Sequence, residues 1–143
     1  FIGLNDCDPD TEHVLLHDSV RPLLTHKVID DVLDAVKLHG AVNTVIPSAD
    51  TLVEVDNAGF IVNIPDRSLL RRCQTPQGFQ YALILDAHKQ ALATGIGDAS
   101  DDCQLVIRLG QRVFCVEGDE QNIKITYPID MHLAEKLLQL RHE

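Results

Sequence analysis

Val14-Leu15-Leu16-His17-Asp18-Ser19-Val20-Arg21-Pro22 is the stretch on which the reading of this chain turns, an apolar run that stops in a carboxylate, an arginine and a proline. With Thr11 and Glu12 ahead of it, the run reads as a strand buried on both faces, and the polar cluster falls just past its carboxyl end. Open α/β sheets bind their ligands there. Asp18 can hold a metal ion, and Arg21 can grip a phosphate or carboxylate through two parallel hydrogen bonds. The same pair also suits a structural ion pair at a loop, and spacing does not choose between the two. His17 closes the strand, where a hydrogen-bonded structural histidine is commoner than a catalytic base.

Working outward, residues 1–4 read as the end of a helix, joined to the central strand by the polar connector 5–10. After Pro22, Thr25 can cap a helix in which Val28, Ile29, Val32, Leu33 and Val36 recur at helical spacing until Gly40 stops it. Residues 41–46 form a second buried strand ended by Pro47, so strand, helix and strand make one right-handed crossover. Leu52-Val53-Glu54-Val55 and Phe60-Ile61-Val62-Asn63-Ile64 flank the turn sequence Asp56-Asn57-Ala58-Gly59 and predict a β-hairpin. An isolated hairpin is marginal in water, so it must lie on something, its own sheet being one choice.

Further along, Thr75-Pro76 puts a hydroxyl before a residue that cannot continue a strand ladder, so Thr75 is expected at a strand end facing the same crevice as Asp18. A helix over 81–93 ends near Gly95, and Ser100-Asp101-Asp102 reads as an N-cap with first-turn acids for a helix through 109. Residues 112–117 predict a buried strand, 122–126 a short one, and Pro128 opens a last helix with Ile129, Leu133, Ala134, Leu137, Leu138 and Leu140 on its core side. Lys124, between Ile123 and Ile125, points opposite to both, into solvent or into the crevice; lysine's aversion to burial favours solvent.

Composition narrows the classes. A chain of 143 residues with 45% apolar content suits one core. No apolar run reaches a membrane span and no signal peptide is recognisable, which leads to the expectation of a cytoplasmic protein. A formal charge of −10 argues against a nucleic-acid binder, which needs Lys and Arg patches. Cys7, Cys73, Cys103 and Cys115 are scattered without metal-site spacing and read as small buried thiols.

The strand-end motif His17-Asp18-Ser19-Val20-Arg21-Pro22 is followed in order by Asp50-Thr51, Asp66-Arg67, Gln74-Thr75-Pro76-Gln77-Gly78-Phe79 and Asn122-Ile123-Lys124-Ile125-Thr126. Together they resemble the ordered motifs of the sugar-alcohol-phosphate cytidylyltransferases, and the resemblance runs the length of the chain. The family's amino-terminal strand and Gly-rich, phosphate-holding loop have no counterpart. The resemblance therefore implies residues 1–143 as the carboxy-terminal portion of a single nucleotidyltransferase domain, truncated at its amino terminus. The fold it implies is α/β: a Rossmann-like, mostly parallel sheet flanked by helices, with a protruding β-hairpin arm at 49–67 that packs on the partner subunit of a homodimer.

The same resemblance implies transfer of CMP from CTP to a sugar-alcohol phosphate, with release of pyrophosphate. Asp18 would bind or orient Mg²⁺, Lys124 would stabilise charge at the α-phosphate, and Arg21, Thr75 and Ser100 would contact substrate. Thr51 and Arg67 would reach the acceptor's phosphate from across the dimer interface. Ile64-Pro65 before Asp66-Arg67 and Cys103 after Ser100-Asp101-Asp102 lean towards ribitol 5-phosphate as the acceptor, whereas Gln74 to Phe79 with glycine at 78 leans towards 2-C-methyl-D-erythritol 4-phosphate; the balance falls on ribitol 5-phosphate. A reading from another class is a non-catalytic dimerising fragment without the phosphate-binding loop.

Overall fold

The computed structural model describes residues 2–95, 99 and 101–141. Their order is α1 (Ile2–Asn5), β1 (His13–Leu16), α2 (His26–His39), β2 (Ala41–Pro47), β3 (Glu54–Val55), β4 (Ile61–Asn63), a 3₁₀ turn (Arg67–Leu69), β5 (Arg71–Gln80), α3 (Tyr81–Ala93), α4 (Asp102–Arg108), β6 (Phe114–Glu117) and α5 (Pro128–Leu140). The four-stranded sheet runs β1-β5-β2-β6. β5 is antiparallel to both β1 and β2, and β2 is parallel to β6, so β1, β2 and β6 share one direction and β5 opposes them. This is the α/β fold that the alternating strand and helix patterns imply, with one reversed strand inside it.

The helix α2 forms where its caps allow. The Thr25 hydroxyl accepts the Val28 N–H at 3.4 Å, and Gly40 closes the other end at φ 76°, a left-handed conformation that suits glycine. Its buried stripe of Val28, Val32 and Val36 meets Val42 and Val116 on one face of the sheet. On the other face Ala41 and Phe79 pack with Ile84 and Ala87 of α3 and with Leu105 and Val106 of α4. The layers come unusually close at Gly78, where a Cβ would stand 2.8 Å from Val32 Cγ1 and 2.9 Å from Val42 Cγ2. Only a residue without a side chain fits there.

Several expectations change. β1 is the edge strand and half-buried, where burial on both faces was expected, because it has a partner only in β5 among the described residues. Thr75-Pro76 lies inside β5, not at a strand end: the β2–β5 register shifts between Asn43 and Val45, and the Thr44 hydroxyl donates to the Pro76 carbonyl at 2.6 Å. A bulge of this kind is where a strand tolerates proline's missing N–H. The described residues 122–126 form no strand; the Ile125 N–H bonds to the Val20 carbonyl at 2.9 Å and ties the segment to the loop after β1. α4 is capped by Asp101, whose carboxylate accepts the Cys103 N–H at 2.7 Å, in place of the expected Ser100.

The hairpin forms as a separate two-stranded sheet, β3 with β4, and does not join the main sheet among the described residues. Asp56 organises its turn, accepting the N–H groups of Ala58 and Phe60 at 2.9 Å each, with Gly59 at φ 88°. The arm carries its apolar side chains outward: Phe60 is 71% exposed, and Leu52, Val55, Ile61, Val62 and Ile64 are exposed with it. Among the described residues no helix is long and apolar enough to cross a membrane.

Candidate active site

At the carboxyl end of β1 the chain opens into a crevice of about 380 Å³, lined by Asp18, Arg21, Thr75, Gln77, Asp101 and Lys124 among others. Four of the residues proposed from sequence, Asp18, Arg21, Thr75 and Lys124, thus meet from three distant parts of the chain. Thr51 and Arg67 do not line it; they belong to the arm, where the Arg67 guanidinium donates to the Ala49 carbonyl at 2.9 Å. Ser100 lies outside the described residues.

The centre is an ion triplet. Lys124 Nζ stands 3.2 Å from Asp18 Oδ2 and Arg21 Nε 3.3 Å from the same oxygen. Partial burial pushes the Asp18 carboxyl up, but the hydrogen bonds and charges of Lys124 and Arg21 outweigh it and hold the group below the usual carboxylate range. The two cations differ in freedom. Lys124 is half-exposed, while Arg21 is only 9% exposed and spends further donors on the Asn122 carbonyl at 2.7 Å and the Cys73 carbonyl at 3.4 Å. That geometry turns Arg21 inward, onto protein acceptors, where sequence placed it on substrate.

Asn122, which opens the last of the quoted motifs but was given no role from sequence, binds this arrangement together. It is fully buried; its side-chain amide donates to the Thr75 carbonyl at 2.8 Å, its own N–H bonds the Asp119 carbonyl at 2.9 Å, and its carbonyl receives Arg21. The one signal available was its place two residues before Lys124. On the opposite wall, Gln77 donates to Asn43 at 3.2 Å and to Asp101 at 2.7 Å, fixing the start of α4 against β5. Around Thr75, the hydroxyl takes the Asp18 N–H at 3.0 Å and lies 2.9 Å from His17 Nδ1, while His17 Nε2 lies 3.0 Å from the Arg21 carbonyl.

The cysteines are not uniformly buried. Cys103 is, and burial with the nearby Asp101 pushes its thiol up, but Cys73 and Cys115 are exposed and Cys73 lines the crevice. Among the described residues no group of three His, Cys, Asp or Glu could cage a metal. Asp18 offers one carboxylate, a donor set that suits a Mg²⁺ held chiefly by ligand phosphates.

This helix-flanked sheet, with its crevice at the carboxyl end of β1, is the nucleotidyltransferase fold of the solved structures on which it superposes. The profile described as "IspD: 2-C-methyl-D-erythritol 4-phosphate cytidylyltransferase" matches residues 1–140. The chain belongs to that family. It is 43% identical over 132 residues to the 2-C-methyl-D-erythritol 4-phosphate cytidylyltransferase of Bacillus thuringiensis (strain Al Hakam), covering 92% of this chain and 58% of that protein. It is 41% identical over 142 residues to that of Desulforamulus reducens, covering 99% and 60%. The crystal structure of the Thermus thermophilus enzyme superposes with a TM-score of 0.86 at 38% identity, over 96% of this chain and 66% of that one. The 4-diphosphocytidyl-2C-methyl-D-erythritol synthase of Anaerococcus prevotii gives 0.90 at 34% identity, over 97% and 64%. The chain thus spans about three fifths of the length of these curated relatives. The names fall on the methylerythritol side, not on the ribitol side towards which the sequence leaned, and they do not favour the non-catalytic reading.

Proposed function

We propose that the protein to which this chain belongs transfers CMP from CTP to 2-C-methyl-D-erythritol 4-phosphate, releasing pyrophosphate, in the cytoplasm. The observation that carries the reading is Lys124, held by Asp18 at 3.2 Å with its ammonium half-open to the crevice. An oxygen of the acceptor's phosphate attacks the α-phosphorus in line, and pyrophosphate departs. Such a transfer asks protein groups for positioning and for charge stabilisation, not for covalent chemistry.

Lys124 meets the negative charge that grows on the α-phosphate oxygens. Asp18 holds that ammonium in place and serves as the single carboxylate for a Mg²⁺, which when bound neutralises phosphate charge. Arg21 keeps Asp18 and the 122–124 segment in register from below and is a positioning residue in this scheme. Thr75 and Ser100 contact the acceptor alcohol. Thr51 and Arg67 complete the partner's site in a homodimer formed through the arm, a reading supported by the run of exposed apolar residues from Leu52 to Ile64, larger than a lone hairpin sustains in water.

The test is pyrophosphate release by the full-length protein, with CTP and Mg²⁺, offered 2-C-methyl-D-erythritol 4-phosphate and ribitol 5-phosphate side by side. The reading expects a kcat/KM clearly higher for the methylerythritol substrate. A higher kcat/KM for ribitol 5-phosphate would return the acceptor to ribitol chemistry, equal values would overturn the methylerythritol preference, and no release with either would overturn the transferase reading.

A further inference from the structure

We propose that His17 is a positioning residue which fixes the Thr75 hydroxyl as a hydrogen-bond acceptor towards the crevice, so that Thr75 takes a ligand hydroxyl there and turns away a phosphate oxygen. The argument is one of proton counting along a three-link chain. A backbone amide can only donate, so the Asp18 N–H at 3.0 Å occupies one lone pair of Thr75 Oγ1. A backbone carbonyl can only accept, so the contact of 3.0 Å between His17 Nε2 and the Arg21 carbonyl puts the imidazole proton on Nε2. Nδ1 of the neutral ring is then bare, and at 2.9 Å it receives the hydroxyl proton of Thr75.

Thr75 has one proton and it is used. What remains towards the crevice is a lone pair, which attracts a ligand O–H and repels an ionised phosphate oxygen. The chain is anchored at both ends: Arg21 is buried with its guanidinium on the Cys73 and Asn122 carbonyls, and the Asp18 carboxylate is held by two cations. The division of labour follows from the chemistry of a polyol phosphate, whose phosphate end is left to the Thr51 and Arg67 of the proposed shared site and whose alcohol end goes to Thr75. In its bearing on turnover this rests on the cytidylyl-transfer reading.

The experiment has an arm independent of that reading. In the full-length protein with ¹⁵N-labelled histidine, long-range proton–nitrogen correlation should find His17 protonated on Nε2 and bare on Nδ1; a proton on Nδ1, in the other tautomer or the imidazolium, overturns the proposal. Erythritol should shift the Thr75 resonances and inorganic phosphate should not; the reverse also overturns it. For turnover, His17→Asn keeps an acceptor near the place of Nδ1 and gives up the Arg21 contact, whereas His17→Gln keeps a donor for Arg21 and gives up Nδ1. His17→Gln should raise KM for the alcohol phosphate by about tenfold with KM for CTP unchanged, and His17→Asn should move neither by more than about threefold. Equal effects of the two variants would make His17 merely structural. A wild-type protein without pyrophosphate release would sink the transferase reading and leave the tautomer result standing; if His17→Gln does not fold, the tautomer measurement still decides.

Discussion

Lys124 Nζ and Arg21 Nε converge on one oxygen, Oδ2 of Asp18, from opposite parts of the chain, at 3.2 and 3.3 Å. The carboxylate is therefore held ionised at a lower pH than a free one, and the sign of its effect on stability follows. A folded-state pKa depressed below the unfolded value of about 3.9 gives stability that is present above that value and lost as pH falls through the folded pKa. In metal-free buffer, the melting-temperature gap between wild type and Asp18→Asn should be constant at neutral pH and narrow below about pH 4. A gap that does not change with pH would show that the triplet contributes nothing to acid stability.

Lys124→Ala in the full-length protein should lower kcat by about 10²–10³-fold, as for loss of a single donor acting on transition-state charge, with a far smaller change in KM. Its melting temperature should barely move, since a half-exposed ion pair is worth about 0–1 kcal/mol. Steady-state kinetics and a thermal scan on the same preparation separate the two. An unchanged kcat would remove Lys124 from the chemistry.

Asn122→Ala, unlike Lys124→Ala, should cost stability as well as activity. It strips a buried donor from the Thr75 carbonyl, and leaving such a group unpaired costs about 1–3 kcal/mol. Urea unfolding should report that loss, with kcat also reduced because Lys124 loses the root of its segment. Wild-type stability in this variant would mean that the amide is dispensable and that Asn122 acts through its backbone alone.

Gly78→Ala puts a methyl within 2.8 Å of Val32 and 2.9 Å of Val42, so about 1–3 kcal/mol of destabilisation is expected in denaturant unfolding. Val32→Ala placed on top of it should recover part of the loss, because it vacates the nearer of the two clashes. Additive losses would mean that the backbone, not the valine, yields.

Subunit mixing tests the arm. If Arg67 serves the partner's site, co-expressed Arg67→Ala and Lys124→Ala chains should form mixed dimers in which one site is intact, and activity should rise above that of either variant alone. Phe60→Asp, which places a charge on the exposed apolar surface of the arm, should shift sedimentation towards the monomer. A wild type that sediments as a monomer at high concentration would end the shared-site reading.

Much of this architecture was legible because local signals agreed. Thr25 and Gly40 bracket α2, valines at helical spacing give its buried face, and Pro128 opens α5, each a contact within a few residues. Reading failed where the decisive partner is remote. Lys124 sits between two isoleucines in a pattern that looks like a strand, yet its segment is pinned through Asn122 to β5 and through Ile125 to Val20, and no ladder forms. Arg21 offers a fork suited to phosphate, but the acceptors it finds are carbonyls 52 and 101 residues away in sequence. Thr75 was placed at a strand end because proline breaks a ladder, and the bulge opposite Thr44 absorbs the break instead. The hairpin itself was legible from its Asp56-Asn57-Ala58-Gly59 turn, whereas its separateness from the main sheet was not, because the residues alone left pairing with that sheet open.

The segment that carries Lys124 has no regular secondary structure, yet its backbone is tied down on both sides of the lysine, at Asn122 and at Ile125. A loose loop would have to surrender about 1–2 kcal/mol of backbone freedom for each residue that a ligand ordered. Here that ordering is done when the chain folds, and only the four-carbon side chain remains to be stilled, at a cost of about 1.5–2 kcal/mol. Lys124 is thus a side chain on a fixed pivot. In the proposed reaction its ammonium, held by Asp18, meets phosphate charge without any movement of the main chain.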